Sequence, residues 1–199
     1  MQAAGNDFII VNNLSKKYSL DEDQIRKMAD RHYGIGCDQV LLLEPPTIKT
    51  NDFRLKIFNS DGGEASQCGN GARCMGRFAR DEGLTSKSEI FMETLNRIVK
   101  VKFIKDEVYE ADMGIPEFEP SRVPLKYFER AAFYNLTIEN SGIEIGAINM
   151  GNTHTITRVD DISKAEVADL GSKIDCHSCF PLGTNVEFMR VVSRDLIQL

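Results

Sequence analysis

The chain has no apolar run long enough to span a membrane, and it does not open on the basic-then-apolar pattern of a secretory leader. It has no basic excess either. Against 30 Asp and Glu stand 24 Lys and Arg, a net charge of -6, which argues against nucleic acid as the main partner. No dinucleotide fingerprint is complete: Cys74 stands where the third glycine after Gly69 and Gly71 belongs, and Gln39 where it belongs after Gly34 and Gly36. A phosphate-binding loop is likewise missing. Cysteines are few and odd in number, at 37, 68, 74, 176 and 179, so free thiols in a reducing cytoplasm are expected rather than disulfides. The run "CHSC" (176–179) has the spacing of half a zinc site, but no second pair completes it and His32, His154 and His177 are scattered, so no metal is expected.

What is present is ordinary globular material, 199 residues that are 42% hydrophobic and 27% charged, enough for one large domain or two small ones. Short β-like runs dominate, at 8–11, 40–43, 53–58, 89–93, 98–103, 108–113, 132–138, 143–149, 154–159 and 186–192. Three helices are expected. One opens on Ser19 and Glu22 in capping-box spacing, and a second repeats that device with Ser163 and Glu166. The third follows Cys68, where Ala72, Met75, Phe78 and Ala79 share one face and Gly83 supplies the stop. Many strands around one central helix suggest an α+β fold, with a mixed or antiparallel sheet wrapped on that helix. The Pro-containing stretch 114–124 marks a domain boundary.

The two halves echo each other. "AGNDFIIV" from Ala4 resembles "MGNTHTIT" from Met150, and "GCDQVLLLE" from Gly36 resembles "GTNVEFMRV" from Gly183. "DFRLKIFN" from Asp52 is answered only by "DLIQL" from Asp195, so the second copy stops before a counterpart of the stretch that follows.

That stretch, "FNSDGGEASQCGNGARC" (58–74), places Cys68 between a glycine-rich loop and the first turn of a helix. A helix N-terminus favours thiolate, and Gly69 and Gly71 let backbone amides approach a bound carboxylate. Such a thiolate could take a proton next to that carboxylate while the amides stabilise the developing charge. The alternative is that Cys68 and Cys74 are small buried hydrophobes at a tight junction, against which the flanking Asn59, Asp61 and Asn70 weigh.

These motifs, with "GNDF" (5–8), "RHYGIGCDQ" (31–39), "ET" (93–94), "DMGIP" (112–116), "MGNTH" (150–154) and "TNVEF" (184–188), resemble the diaminopimelate epimerase family in order and spacing. The resemblance implies two pseudo-symmetric domains, 1–115 and a partial 116–199, and an enzyme that needs no cofactor. Such enzymes interconvert LL- and meso-diaminopimelate, for lysine and peptidoglycan precursors, with two facing cysteines. It implies Cys68 as the first catalytic cysteine, and Asn6, Gln39, Asn59, Gly69, Asn70, Asn152 and Asn185 as substrate-binding residues. His154 matches a histidine near the cysteine pair, although a structural role for it is open. The family's "ACGTG" block with its second cysteine has no match here, and "GNPH" reads "GNTH". The resemblance further implies a small amino-acid substrate, no nucleic acid or membrane partner, and a homodimer. A truncated, inactive remnant of the fold, or a proline racemase-like isomerase, is the alternative. Phenazine-type relatives lack this cysteine.

Overall fold

The computed structural model describes residues 1–199, which form two compact units, Met1–Gly114 and Ile115–Leu199. In the first unit the strands are β1 (Gln2–Ala3), β2 (Asn6–Asn12), β3 (Gln39–Glu44), β4 (Phe53–Asn59), β5 (Glu64–Ala65), β6 (Glu89–Glu93), β7 (Ile98–Lys105) and β8 (Val108–Asp112). Its helices are α1 (Glu22–Ala29) and α2 (Gly69–Asp81). The sheet runs β1-β2-β3-β4-β6-β7-β8, with β5 paired to β4. Two neighbouring pairs are parallel, β2 with β3 and β4 with β6, and each is joined by a helix. Because β4 runs against β2, the right-handed crossover preference sends α1 and α2 to opposite faces. The side chains agree. Ile25 and Ala29 of α1 pack on Val40 and Leu42, while Ala72, Met75 and Ala79 of α2 pack on Phe8, Leu41, Leu55 and Ile57.

Both edge strands, β1 and β8, contact α2, so the sheet curls around it. The strands alternate as a half-buried strand should: Phe53, Leu55 and Ile57 are buried and the residues between them are not. Met75, fully buried at the centre, contributes about 1.5–3 kcal/mol by leaving water. Helix and sheet meet closely at Gly76, where a Cβ would lie 2.7 Å from Val101 Cγ1.

The second unit contains β9 (Tyr134–Ile138), β10 (Ser141–Asn149), β11 (Thr153–Arg158), α3 (Val167–Asp175), β12 (Asn185–Ser193) and β13 (Leu196–Gln198), in the sheet order β13-β12-β11-β10-β9. Ile174 of α3 packs with Tyr134, Leu136, Ile145 and Phe180 on one face. The repeat seen in the sequence is a repeat of backbone. β11, α3, β12 and β13 reproduce β2, α1, β3 and β4: a parallel pair bridged by a helix, then an antiparallel return. Phe8 pairs with Gln39 and His154 with Asn185, the same sequence separation in both copies. Gly5 and Gly151 take positive φ at the same place in the two copies, and Gly36 and Gly183 do so just before the second strand of each parallel pair, one residue apart in register.

Two helix starts differ from expectation. The capping box of α1 is Asp21 with Gln24, not Ser19 with Glu22, because Asp21 accepts the Gln24 N–H at 2.8 Å and Gln24 Oε1 accepts the Asp21 N–H in return. Ser163 does not cap α3. It lies inside a short 3-10 turn, Ile162–Lys164, capped by Asp161, and α3 begins at Val167 without a side-chain cap.

Candidate active site

Strand direction gathers one set of polar residues. β2 and β3 run parallel and both start at one end of the sheet, with Asn6 and Gln39, while antiparallel β4 finishes there with Asn59 opposite Gln39. Alternation puts Asn6 in line with Phe8, Gln39 with Leu41, and Asn59 with Ile57 and Leu55, on the face that α2 covers. Three amides therefore fringe the end of the apolar face where α2 begins. Gln39 Nε2 donates to Asn59 Oδ1 at 2.8 Å, and Asn70 Nδ2 reaches Asn6 Oδ1 at 3.4 Å. The expected residues Asn6, Gln39, Asn59, Cys68, Gly69 and Asn70 thus lie at this single sheet end.

Cys68 is the N-cap of α2. Its backbone is extended (φ -151°, ψ 109°) and its Sγ accepts the Gly71 N–H at 3.3 Å. The loop is packed too tightly for larger residues. A Cβ on Gly69 would meet Met113 Sδ at 2.9 Å, and one on Gly71 would meet Leu41 Cδ2 at 3.2 Å. Helix starts leave amides without backbone acceptors, so the Gly69–Asn70 turn is suited to an anion. The thiol itself corrects the expectation of a thiolate: burial pushes its pKa up from the ordinary value, and the Gly71 and Asn70 amides and Arg73 pull it only part of the way back. Desolvation wins over the helix terminus here. Burial thus favours the thiol form of Cys68, which must ionise before it can take a proton.

The other four cysteines have different settings. Cys74 is buried in the α2 core and Cys37 under α1. Cys176 caps the C-terminal end of α3, and Cys179 Sγ lies 3.0 Å from His177 Nδ1, its pKa pushed up by burial to about 11. No three His, Cys, Asp or Glu side chains are gathered as metal ligands.

In the second unit, Asn152, His154 and Asn185 occupy the corresponding sheet end. His154 is held from both sides, with Nδ1 at 2.6 Å from Glu187 Oε1 and Nε2 at 2.9 Å from Asn152 Oδ1. Asn185 Nδ2 donates to the Thr153 carbonyl at 3.0 Å. Glu187 was not among the expected residues, though it stands two positions after Asn185 and alternation alone puts the two on one face. Nor were Asp38 and Arg73, which hold Asn6 and Asn70 by their side chains.

Solved structures share this fold at low sequence identity. A probable proline racemase from Agrobacterium radiobacter K84 matches with a TM-score of 0.65 at 14% identity, over 88% of this chain and 56% of that one. A predicted epimerase from Pseudomonas aeruginosa matches at 0.57 and 16% identity, over 94% and 64%. Sequence narrows the class. The diaminopimelate epimerase family model matches residues 1–119. Diaminopimelate epimerases of Coxiella burnetii and Chromobacterium violaceum are 41% and 43% identical over all 199 residues, which span 72% of their length. The chain belongs to the diaminopimelate epimerase family, a family of isomerases. It spans less than two thirds of the length of the solved structures it resembles. No helix is long and apolar enough to cross a membrane.

Proposed function

We propose that the chain acts on diaminopimelate, interconverting its LL and meso forms by proton transfer at the α-carbon, with Cys68 as one of two thiol bases. The observation that carries this is a thiol capping α2 directly above a fringe of neutral amides, Asn6, Gln39 and Asn59. Neutral amides hold ammonium and carboxylate groups alike without adding a titrating charge. The substrate carboxylate sits at the Gly69–Asn70 turn, where oriented amides stabilise the charge that builds as the α-proton leaves. Cys68 Sγ, once ionised, takes that proton: the Cα–H bond breaks, S–H forms, and the electron pair passes into the carboxylate. A second thiol returns a proton to the opposite face. In the second unit Asn152 and Asn185 are substrate-binding residues, with His154 supporting Asn152. Residues 1–115 act as one epimerase domain and 116–199 as part of its counterpart.

A narrower reading follows from the settings of the other cysteines. None caps a helix beside a glycine loop, so the opposing thiol is assigned to none of Cys37, Cys74, Cys176 and Cys179. A protein working with Cys68 alone exchanges the α-proton on one face without inversion. Incubation with LL-diaminopimelate in heavy water, followed by NMR and chiral analysis, separates these. Deuterium at Cα with inversion, lost in Cys68→Ala, supports the epimerase, and deuterium without inversion supports the one-thiol form. A folded protein that incorporates none overturns both.

A further inference from the structure

A side-chain amide offers a donor at one end and an acceptor at the other, and whatever holds one end decides which is left for a ligand. In the first unit charged groups make that choice. Asp38 can only accept, and its Oδ2 takes Asn6 Nδ2–H at 2.9 Å and the Asp7 N–H at 3.0 Å, so the Asn6 carbonyl faces away from it. Asp38 cannot swing, because Arg31 donates to its Oδ1 at 2.9 Å and grips Asp7 with two bonds of 2.9 and 2.7 Å. The Asp38 N–H returns to Asp7 Oδ1 at 2.8 Å, which closes the clamp across the starts of β2 and β3. Arg73, which can only donate, fixes Asn70 in the same manner by holding its Oδ1 and leaving Nδ2 toward Asn6. That contact to Asn6 Oδ1 is long, and a carbonyl oxygen has a second lone pair to offer. A separate observation points the same way. Gln39 spends its Nε2 on Asn59, and its Oε1 is buried with no partner at all. An orphaned buried acceptor is costly unless something donates to it.

We propose that Asp38, locked by Arg31, is a positioning residue that turns the Asn6 carbonyl toward the ligand. Together with Gln39 Oε1, on the same face and at the same sheet end, it gives the site acceptors for the substrate's ammonium group. The helix start supplies the donors for its carboxylate. The site is selective for an amino acid over the matching plain acid because a ligand without the amino group leaves Gln39 Oε1 unsatisfied and Asn6 Oδ1 with only its long Asn70 contact. This inference rests on reading the Cys68 site as an amino-acid site.

Asp38→Asn keeps the volume but can donate to Asn6 Oδ1, so the Asn6 amide is free to turn its NH2 outward. Calorimetric titration of the full chain at pH 7 compares meso-diaminopimelate with pimelate, which has the same chain and carboxylates but no amino groups. The wild-type protein is expected to prefer the diamino acid by about 100-fold, two unmade hydrogen bonds at a buried site. In Asp38→Asn that preference falls to within about threefold, and Asp38→Glu, still acceptor-only, restores most of it. Arg31→Gln, which leaves the carboxylate unlocked, loses part of the preference and stands in if Asp38→Asn does not fold. A folded Asp38→Asn, or a folded Arg31→Gln in its place, that keeps the full preference overturns the role of Asp38 alone. Wild-type protein that binds neither ligand and exchanges no α-proton overturns the active-site reading beneath it.

Discussion

Replacing Glu93 by Gln tests the balance of burial and hydrogen bonding at the one buried carboxylate of the first unit. Glu93 ends β6 and is 6% exposed. Its Oε2 accepts from the Thr47 N–H at 3.0 Å and the Thr47 hydroxyl at 2.6 Å, and its Oε1 from the Ile48 N–H at 2.6 Å and Asn51 Nδ2 at 3.1 Å. Burial alone would raise its pKa, but the four donors together outweigh that and lower it from 4.5 to about 2. Each pKa unit corresponds to about 1.4 kcal/mol, so the ionised form adds about 3 kcal/mol of stability at neutral pH as an upper bound. The pKa is depressed in the folded state, so this stabilisation is complete above about pH 4.5 and is lost as pH falls toward 2. In Glu93→Gln an NH2 faces donors that need an acceptor, at a cost of about 2–4 kcal/mol near pH 7. Urea unfolding of the first unit, measured from pH 7 to pH 2, should show the gap between wild type and variant narrowing below pH 4.5. Hydrogen exchange at the Thr47 and Ile48 amides reports the same loss locally. A gap that stays constant down to pH 2 refutes the assignment, since the carboxylate would then contribute nothing through its charge.

Cys68→Ala should abolish α-proton exchange in heavy water while the thermal melt shifts by no more than a few degrees, as an N-cap loss of about 1 kcal/mol implies. Because burial raises the Cys68 pKa, its alkylation by iodoacetamide should accelerate with pH at higher pH than a peptide cysteine does. Arg73→Ala, which removes a nearby positive charge, should move that profile further up, and a downward move would contradict the sign. Met75→Ala opens a cavity under α2 and should cost about 2–5 kcal/mol in a chemical unfolding experiment. Gly76→Ala should cost about 1–3 kcal/mol in the same experiment, because the new methyl must push Val101 aside, and unchanged stability would show that β7 yields.

Local chemistry was legible in the chain and pairing was not. The alternation in Phe53–Phe58 and the helical spacing of Ala72, Met75 and Ala79 declare a strand and a helix without reference to anything distant. The same holds for Cys68, since a thiol before Gly-Asn-Gly fixes its own position at a helix start. What could not be read was which strands run parallel. β2 and β3 are separated by α1, and nothing in their composition says that Phe8 lies opposite Gln39. That register is what brings Asn6, Gln39 and Asn59 to one sheet end. The motifs named those residues, but only topology explains why they meet. The helix terminus that favours thiolate at Cys68 is visible in the sequence, whereas burial, the larger and opposing effect, depends on how the rest of the unit packs. Short strands such as β1 and β5 carry too few residues to show a period at all.

The two copies of the repeat show what was kept and what diverged. Backbone devices are shared: the positive-φ glycines at 5 and 151, a positive-φ glycine before the second strand (36 and 183, offset by one residue), the parallel pair, and its register. The side chains that hold the asparagine after the first glycine are not. Asn6 gives its NH2 to a carboxylate, Asp38, braced by Arg31, whereas Asn152 Oδ1 lies 2.9 Å from the Nε2 of His154, whose Nδ1 is braced by Glu187. The equivalent asparagines are therefore held by different chemistry in the two copies. A repeated scaffold would by itself offer the same groups twice. Different braces on equivalent asparagines break that symmetry with two side chains per copy, and leave the backbone that positions them untouched.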